Sequence, residues 1–373
     1  MAPRWSRNAV AALAAPFLLA LLAGCAGDYP QSTLNPLGDF ARIVDGVFRT
    51  TLFWATVVFV LVEGALLYVV LKFRGRPDDP QPKQIHGNTT AEIIWTAIPA
   101  LVLAMIAVPT VRAIFRTYRA PDTANPLEVE VIGHQWWWEF RYPEYGVTTA
   151  NELHVPVGRT VTLRMTAGDV LHSFWVPQFA AKRDVFPGRQ TTMWFTAEKP
   201  GDYPAQCAEF CGIQHGRMAF RVVADEPAAF DAHMTMLRAS GGAPPAAATA
   251  SADGLRSASV GASVALDTVA ADTAKAALPP EDPAVAAGRQ LYLAKGCLGC
   301  HSTDATKPMG IGPNLAGIGS RSYIGAGSWK NTDDALVRWV QNPQAMKEGV
   351  LMPNLQLTEA EARSIVAYLR TLK

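Results

Sequence analysis

The sequence predicts three structural classes in series: a hairpin of two transmembrane helices, an all-β sandwich or barrel, and a small all-α domain. Two apolar runs long enough to cross a bilayer lie before residue 115. Period-two alternation then recurs between residues 127 and 224, broken by Pro and Gly. Past residue 281 the pattern turns helical, and its last helix opens on a capping box, Thr358-Glu-Ala-Glu361.

Composition bounds the rest. A chain of 373 residues has room for several domains. Its 33 basic and 32 acidic residues nearly cancel, which argues against nucleic acid as a partner. The five cysteines, Cys25, Cys207, Cys211, Cys297 and Cys300, each fall in a local pattern, leaving none for a structural disulfide.

Residues 1–24 read as a signal peptide: Arg4 and Arg7 precede an apolar stretch closed by small residues. Leu22-Ala23-Gly24-Cys25 resembles the lipobox of bacterial lipoproteins, which implies cleavage before Cys25 and lipid on its sulfur. An ordinary signal peptide is the alternative, and in both cases the mature N-terminus lies outside the cytoplasm. Residues 45–115 form the helix hairpin. Leu52 to Leu71 spans roughly 30 Å as a helix, and Ile93 to Ile114 is the second span, with Pro99 and Pro109 inside it. The outside N-terminus puts everything after residue 115 on the outer face. Glu63 falls mid-span, where a carboxylate normally faces protein or water. Glu92 opens the second span, where a helix N-terminus favours an acid.

Residues 127–225 are the β domain. Leu127 to Ile132, Thr160 to Met165 and Arg217 to Val222 alternate as strands. Residues 240–280 form a flexible linker of small residues without an aromatic, about 35 Å across as a coil. Residues 281–373 form the helical domain. Ala284 to Lys295 is one helix and Asp333 to Val340, capped by Thr332, a second; a third presents Ile365, Val366, Leu369 and Leu372 on one face.

The chemistry is concentrated in Gln206-Cys-Ala-Glu-Phe-Cys-Gly-Ile-Gln-His-Gly-Arg-Met218. Two thiols, an imidazole and a thioether on one loop are the soft ligands that suit copper. With His172 upstream, both thiolates can bridge two ions, each capped by a histidine. Met218 and the carbonyl of Glu209 remain for weak axial positions. The rival use of two cysteines at this spacing in an exported chain is a disulfide.

That loop resembles the dinuclear copper (CuA) loop of cytochrome oxidase subunit II. The resemblance runs from about residue 45 to 225 and includes Val170-Leu-His-Ser-Phe-Trp-Val-Pro177, Asp184-Val-Phe-Pro-Gly188 and Gly133-His-Gln-Trp-Trp-Trp138. It implies a cupredoxin barrel and the copper ligands His172, Cys207, Glu209 through its carbonyl, Cys211, His215 and Met218. It further implies magnesium on the Glu209 side chain at the interface with subunit I, and Trp136 as the electron inlet. Glu92 would stand at the mouth of a proton path in subunit I. The family pattern has tyrosine where this chain has Trp137. Of the three tryptophans, at least one is read as barrel core. His86, His134, His154 and His233 are read as ordinary histidines.

Cys297-Leu-Gly-Cys300-His301 is the c-type haem attachment motif. The thiols add to the haem and His301 becomes an axial iron ligand. The segment resembles class I cytochrome c, with Gly312-Pro-Asn-Leu315 as the stretch whose proline carbonyl orients the histidine. Met352 is the sixth ligand by that resemblance, and Met309 and Met346 are its competitors. Residues 282–373 carry ten Lys/Arg against seven Asp/Glu, and residues 127–224 nine against ten. Neither has the acidic balance that would steer a very basic soluble carrier.

The resemblance implies subunit II of a haem–copper oxidase with a fused cytochrome c, in a bacterial cytoplasmic membrane with both redox domains on the periplasmic face. Its partners would be subunits I and III, and cytochrome c or another respiratory complex as donor. The alternatives are a membrane copper chaperone, which would show a βαβ pattern, and a free-standing anchored electron carrier.

Overall fold

The computed structural model describes residues 29–75, 81, 84, 86–240, 282–307 and 310–373. The leader 1–24, Cys25, Met309 and the linker, Ser240 apart, lie outside them.

Helix α1 (Asp39–Lys72) and helix α2 (Thr89–Tyr118) are the two apolar runs, each long and apolar enough to cross a membrane. Helix α1 begins well before the predicted start at Leu52 because its first turn is not a lipid-facing segment. Asp39 accepts the backbone N–H of Thr196 at 2.8 Å, Ala41 N–H donates to the Phe179 carbonyl at 3.0 Å, and Phe40 packs edge-on against Trp194. The Trp194 indole also donates to the carbonyl of Thr117 at 3.2 Å. One tryptophan of the β domain thus holds the start of α1 and the end of α2. In α2 the Asn88 side chain caps the N–H of Ala91, and the N–H of Asn88 donates to Glu92 at 3.3 Å. Glu92 therefore closes the helix start.

Ten strands follow: β1 (Leu127–His134), β2 (Trp137–Tyr142), β3 (Val147–Ala150), β4 (Glu152–Pro156), β5 (Thr160–Ala167), β6 (His172–Trp175), β7 (Arg183–Val185), β8 (Thr191–Thr196), β9 (Gly201–Cys207) and β10 (Ala219–Asp225). They form two five-stranded sheets, ordered β3-β2-β1-β5-β8 and β4-β10-β9-β6-β7. The alternation read from the sequence is the pleat: Val129, Val131 and Leu163 point into the sandwich and are fully buried, as are Phe174 and Phe220 from the facing sheet. The last strand starts at Ala219, not Arg217, because His215–Arg217 are wound into a 3-10 turn.

Helix α3 (Pro227–Ala239) was not anticipated. Its signals are short: Pro227 in the first turn, then Phe230, Met234 and Leu237, all buried.

The C-terminal domain contains α4 (Pro283–Ala294), a two-strand ribbon of β11 (Tyr323–Ile324) and β12 (Trp329–Lys330), α5 (Asp333–Gln341), α6 (Pro343–Met346) and α7 (Glu359–Leu369). The ribbon departs from the all-α expectation. Thr332 and the Thr358–Glu361 capping box start α5 and α7 as the sequence indicates. Helix α7 stops at Leu369, so Leu372 lies past its end, where its carbonyl accepts the Gly319 N–H at 2.8 Å.

Candidate metal and haem centres

Strand pairing assembles the first cluster. Phe174 of β6 pairs with Cys207 of β9, which brings His172 beside the end of β9. The loop from Ala208 to Met218 is closed at its base, where Cys207 N–H donates to the Met218 carbonyl at 2.9 Å. The side chains meet inside this ring. Cys207 Sγ lies 3.8 Å from Cys211 Sγ and 4.0 Å from His172 Nδ1. Cys211 Sγ lies 3.7 Å from both His215 Nδ1 and Met218 Sδ, and the Glu209 carbonyl is 3.3 Å from Cys207 Sγ. A disulfide needs sulfurs about 2.05 Å apart, so the pair is not one. Two sulfurs at this separation, with His172 beside them, could hold soft metal ions. The donor set thus fits a dinuclear copper group.

The contact between the Cys207 and Cys211 sulfurs, helped by His172, holds the Cys207 thiol far below its ordinary pKa. The same contact, with burial, drives Cys211 up. Burial opposes a charge on His172, but Asp169 and Cys207 outweigh it and raise its pKa. Asp169 Oδ1 sits 2.8 Å from His172 Nε2, which takes the ring N–H there and leaves Nδ1 facing the sulfurs. Asp169 also accepts the N–H groups of Gln135 and Val170, both at 2.6 Å.

The tryptophan run divides. Trp138 is core, edge-on to His172 and Phe174. Trp137 stacks on His134, which is bonded to Glu139 at 2.9 Å. Trp136 lies on the copper loop: its indole N–H donates to the Cys211 carbonyl at 3.0 Å, and Gln135 donates to the same oxygen at 2.8 Å. Gly212, with φ +117°, makes room for this. A Cβ there would fall 3.1 Å from both the Trp136 ring and Gln135.

The second centre is an apolar cavity lined by Cys297, Cys300, His301 and Met352. The 3-10 turn Cys297–Gly299 presents both thiols, which are free. His301 Nδ1 is 2.7 Å from the Pro313 carbonyl, so Nε2 is left without its proton. Burial lowers the His301 pKa against that carbonyl, keeping the ring neutral as an iron ligand must be. A Cβ at Gly312 would fall 2.6 Å from the His301 ring, so glycine is part of the cradle. Met346 is not in the lining, and its carbonyl instead accepts Arg217 Nη1 at 3.0 Å. These residues fit haem.

The cavity is not closed by its own domain alone. Gln135, Trp136 and Trp137 of the β domain also line it. The two domains are joined by a dense polar interface. Glu152, 4% exposed, accepts the N–H groups of Ser322 at 2.7 Å and Tyr323 at 3.2 Å. Arg221 lies over the Tyr323 ring, and Thr148 N–H donates to the Ala305 carbonyl at 2.7 Å. Lys347 donates to the Arg217 carbonyl at 2.7 Å, and Gln214 donates to that of Glu348.

All six copper donors named from the sequence are thus brought to one loop end, with Trp136 against it. Glu209, whose carbonyl lies among them, is exposed. Glu92 and Glu63 lie on the helix hairpin, apart from both centres. His154 and His233, read as ordinary, are stacked at 3.8 Å with His154 bonded to Asp225 at 2.7 Å. Sequence reasoning missed Asp169, whose only signal is its place three residues before His172. It also missed Glu152 and Lys347, whose roles exist only in the docked arrangement.

The chain matches known proteins along most of its length. The family models described as the transmembrane and periplasmic domains of cytochrome c oxidase subunit II match residues 40–113 and 146–225, and that of cytochrome c matches 285–373. Cytochrome c oxidase subunit 2 of Alkalihalophilus pseudofirmus is 34% identical, covering 96% of this chain and 95% of that protein. That of Bacillus sp. (strain PS3) is 31% identical, covering 95% and 94%. The periplasmic domain of subunit II from Bradyrhizobium japonicum is 30% identical over 32% of this chain and 94% of that one, with a TM-score of 0.30. By sequence over nearly its whole length, the chain belongs to the cytochrome c oxidase subunit II family and carries a cytochrome c domain at its C-terminal end.

Proposed function

We propose that this chain is the electron inlet of a haem–copper terminal oxidase. An electron from cytochrome c or another respiratory complex would reach the haem domain, cross at Trp136 to the copper loop, and continue to haem in subunit I. When bound, haem c and the dinuclear copper group each supply a one-electron carrier. Oxygen reduction and proton pumping belong to subunit I, with subunit III beside it. The observation that carries this reading is that Trp136 faces both ways: it lines the cavity that holds His301 and Met352, and it donates to the carbonyl of Cys211.

The residues have separable tasks. Cys207, Cys211, His172, His215 and Met218, with the Glu209 carbonyl, would hold the copper pair. Asp169 fixes the His172 ring, and Gln135 and Trp136 fix the loop carbonyl. Cys297 and Cys300 would tether the haem, and His301 and Met352 would hold its iron. The Glu209 carboxylate, being exposed beside the copper loop, would take magnesium at the subunit I interface. Glu92 would serve a proton path in subunit I, a task beyond its helix-closing bond. Helices α1 and α2 would place the redox domains on the outer face of the cytoplasmic membrane, with lipid on Cys25 as a further anchor.

A copper chaperone is disfavoured by the two-sheet strand order, which is not βαβ. A free-standing carrier would have no use for Glu92 at a subunit surface. Purification of the native complex tests the proposal. Subunit I should co-purify, and the spectra should show a mixed-valence dinuclear copper signal with a low-spin haem c. A metallated, haem-loaded preparation lacking that copper signal would contradict it.

A further inference from the structure

The surroundings of Lys347 are not explained by the proposed electron route. It belongs to the haem domain, just after α6, yet it is 2% exposed and directed at the copper loop. Its ammonium donates to the Arg217 carbonyl at 2.7 Å and to the Gly325 carbonyl at 3.2 Å, and among the described residues it forms no ion pair. Arg217 lies in the 3-10 turn between two copper donors, His215 and Met218. A buried cation without a carboxylate is costly, and a simple latch between domains would not need the charge. Burial and the neighbouring Arg217 push its pKa down to about 8, while the Cys211 sulfur pulls the other way.

We propose that Lys347 is a tuning charge for the copper centre, delivered by docking of the haem domain. The inference rests on the dinuclear copper reading above. The step it acts on is a single electron transfer: one electron leaves the haem group, one reduces the copper pair, and no bond is made or broken. The oxidised copper pair carries one more positive charge than the reduced pair. A neighbouring buried cation therefore disfavours the oxidised form and raises the reduction potential. Because the charge sits on the other domain, the copper loop becomes a better electron acceptor only while that domain is seated. Trp136 completes its path to the haem cavity in the same docked arrangement, so path and driving force are switched on together.

The test uses the assembled, haem- and copper-loaded complex with Lys347→Gln and Lys347→Arg. Redox titration followed by the copper spectrum reads the centre. Amide exchange at Ser322 and Tyr323, held from the far side of the interface by Glu152, reads docking. The proposal expects the reduced-to-oxidised copper ratio at fixed poise to fall several-fold in Lys347→Gln and to stay near the parent value in Lys347→Arg. An unchanged ratio in Lys347→Gln overturns it, whether the amides stay protected or not, since the charge has left in either case. A fall that comes with lost protection supports it only if Glu152→Ala, which loosens the same face with Lys347 present, gives the same fall; a copper ratio unmoved by that undocking overturns it. Absence of the mixed-valence signal in the parent protein would instead overturn the reading of the site itself.

Discussion

Glu152 of the β domain, itself buried, accepts the backbone N–H of Ser322 in the haem domain at 2.7 Å. One carboxylate oxygen serves two consecutive amides, Ser322 and Tyr323, and the buried Arg321 lies next to them in the chain. Hydrogen bonds to a charged group contribute roughly 1.5–3 kcal/mol each. Glu152→Ala should therefore speed amide exchange at Ser322 and Tyr323 by at least about tenfold and leave exchange within β1 and β5 unaltered. Exchange at the parent rate would show that the domains are held by other contacts.

Asp169 is bonded to the His172 ring at 2.8 Å and orients it toward the sulfurs. Removing such a partner of a ligating histidine typically lowers metal affinity by about 10–100-fold. Asp169→Ala should weaken copper retention by that order in competition with a chelator. Strand β6 should stay in place, because its pairing to β9 uses backbone groups.

The stacked imidazoles of His154 and His233 make the β domain acid-sensitive. Burial, together with the neighbouring His154, lowers the His233 pKa to about 4. A histidine with a depressed folded pKa is neutral in the fold but protonated in the unfolded chain. Its contribution is therefore present above about pH 6.5 and lost as pH falls toward 4, up to about 3 kcal/mol in total. His154 has the opposite sign: burial disfavours its charge, but Asp225 and Glu152 raise its pKa, so its contribution fades as pH rises past 6.5. His233→Phe should flatten the acid limb of a denaturant-midpoint profile between pH 6.5 and 4, and an unchanged limb would place the sensitivity elsewhere.

Helices α4 and α7 cross at Gly288, where a Cβ would fall 1.8 Å from the Ser364 carbonyl oxygen. Only backbone movement can relieve that overlap. Gly288→Ala should destabilise the haem domain by about 1–3 kcal/mol, read as an earlier loss of the haem Soret band in urea. The copper spectrum should persist to higher denaturant.

Much of this architecture was readable because its signals are local. Two cysteines, His215 and Met218 share one loop, and a single strand pairing adds His172. The capping residues Thr332 and Thr358 announce their helices because a cap is decided within four residues. What escaped depends on tertiary contact. The first turn of α1 is amphipathic, and Asp39 and Phe40 acquire meaning only against Thr196 and Trp194. Helix α3 is a short stretch whose apolar stripe needs the β domain beneath it. Glu152 and Lys347 are ordinary charged residues in the sequence, and become buried only when the haem domain seats on the copper domain.

Trp136 is proposed to carry electrons between the haem cavity it lines and the copper loop it touches. Rapid photoreduction of haem c in the assembled complex, with absorbance followed at the copper centre, measures that step directly. In Trp136→Ala the haem-to-copper rate should fall by at least about tenfold, while the copper spectrum and the protection of Ser322 and Tyr323 remain as in the parent. An unchanged rate with both centres and the docked interface intact would contradict the account.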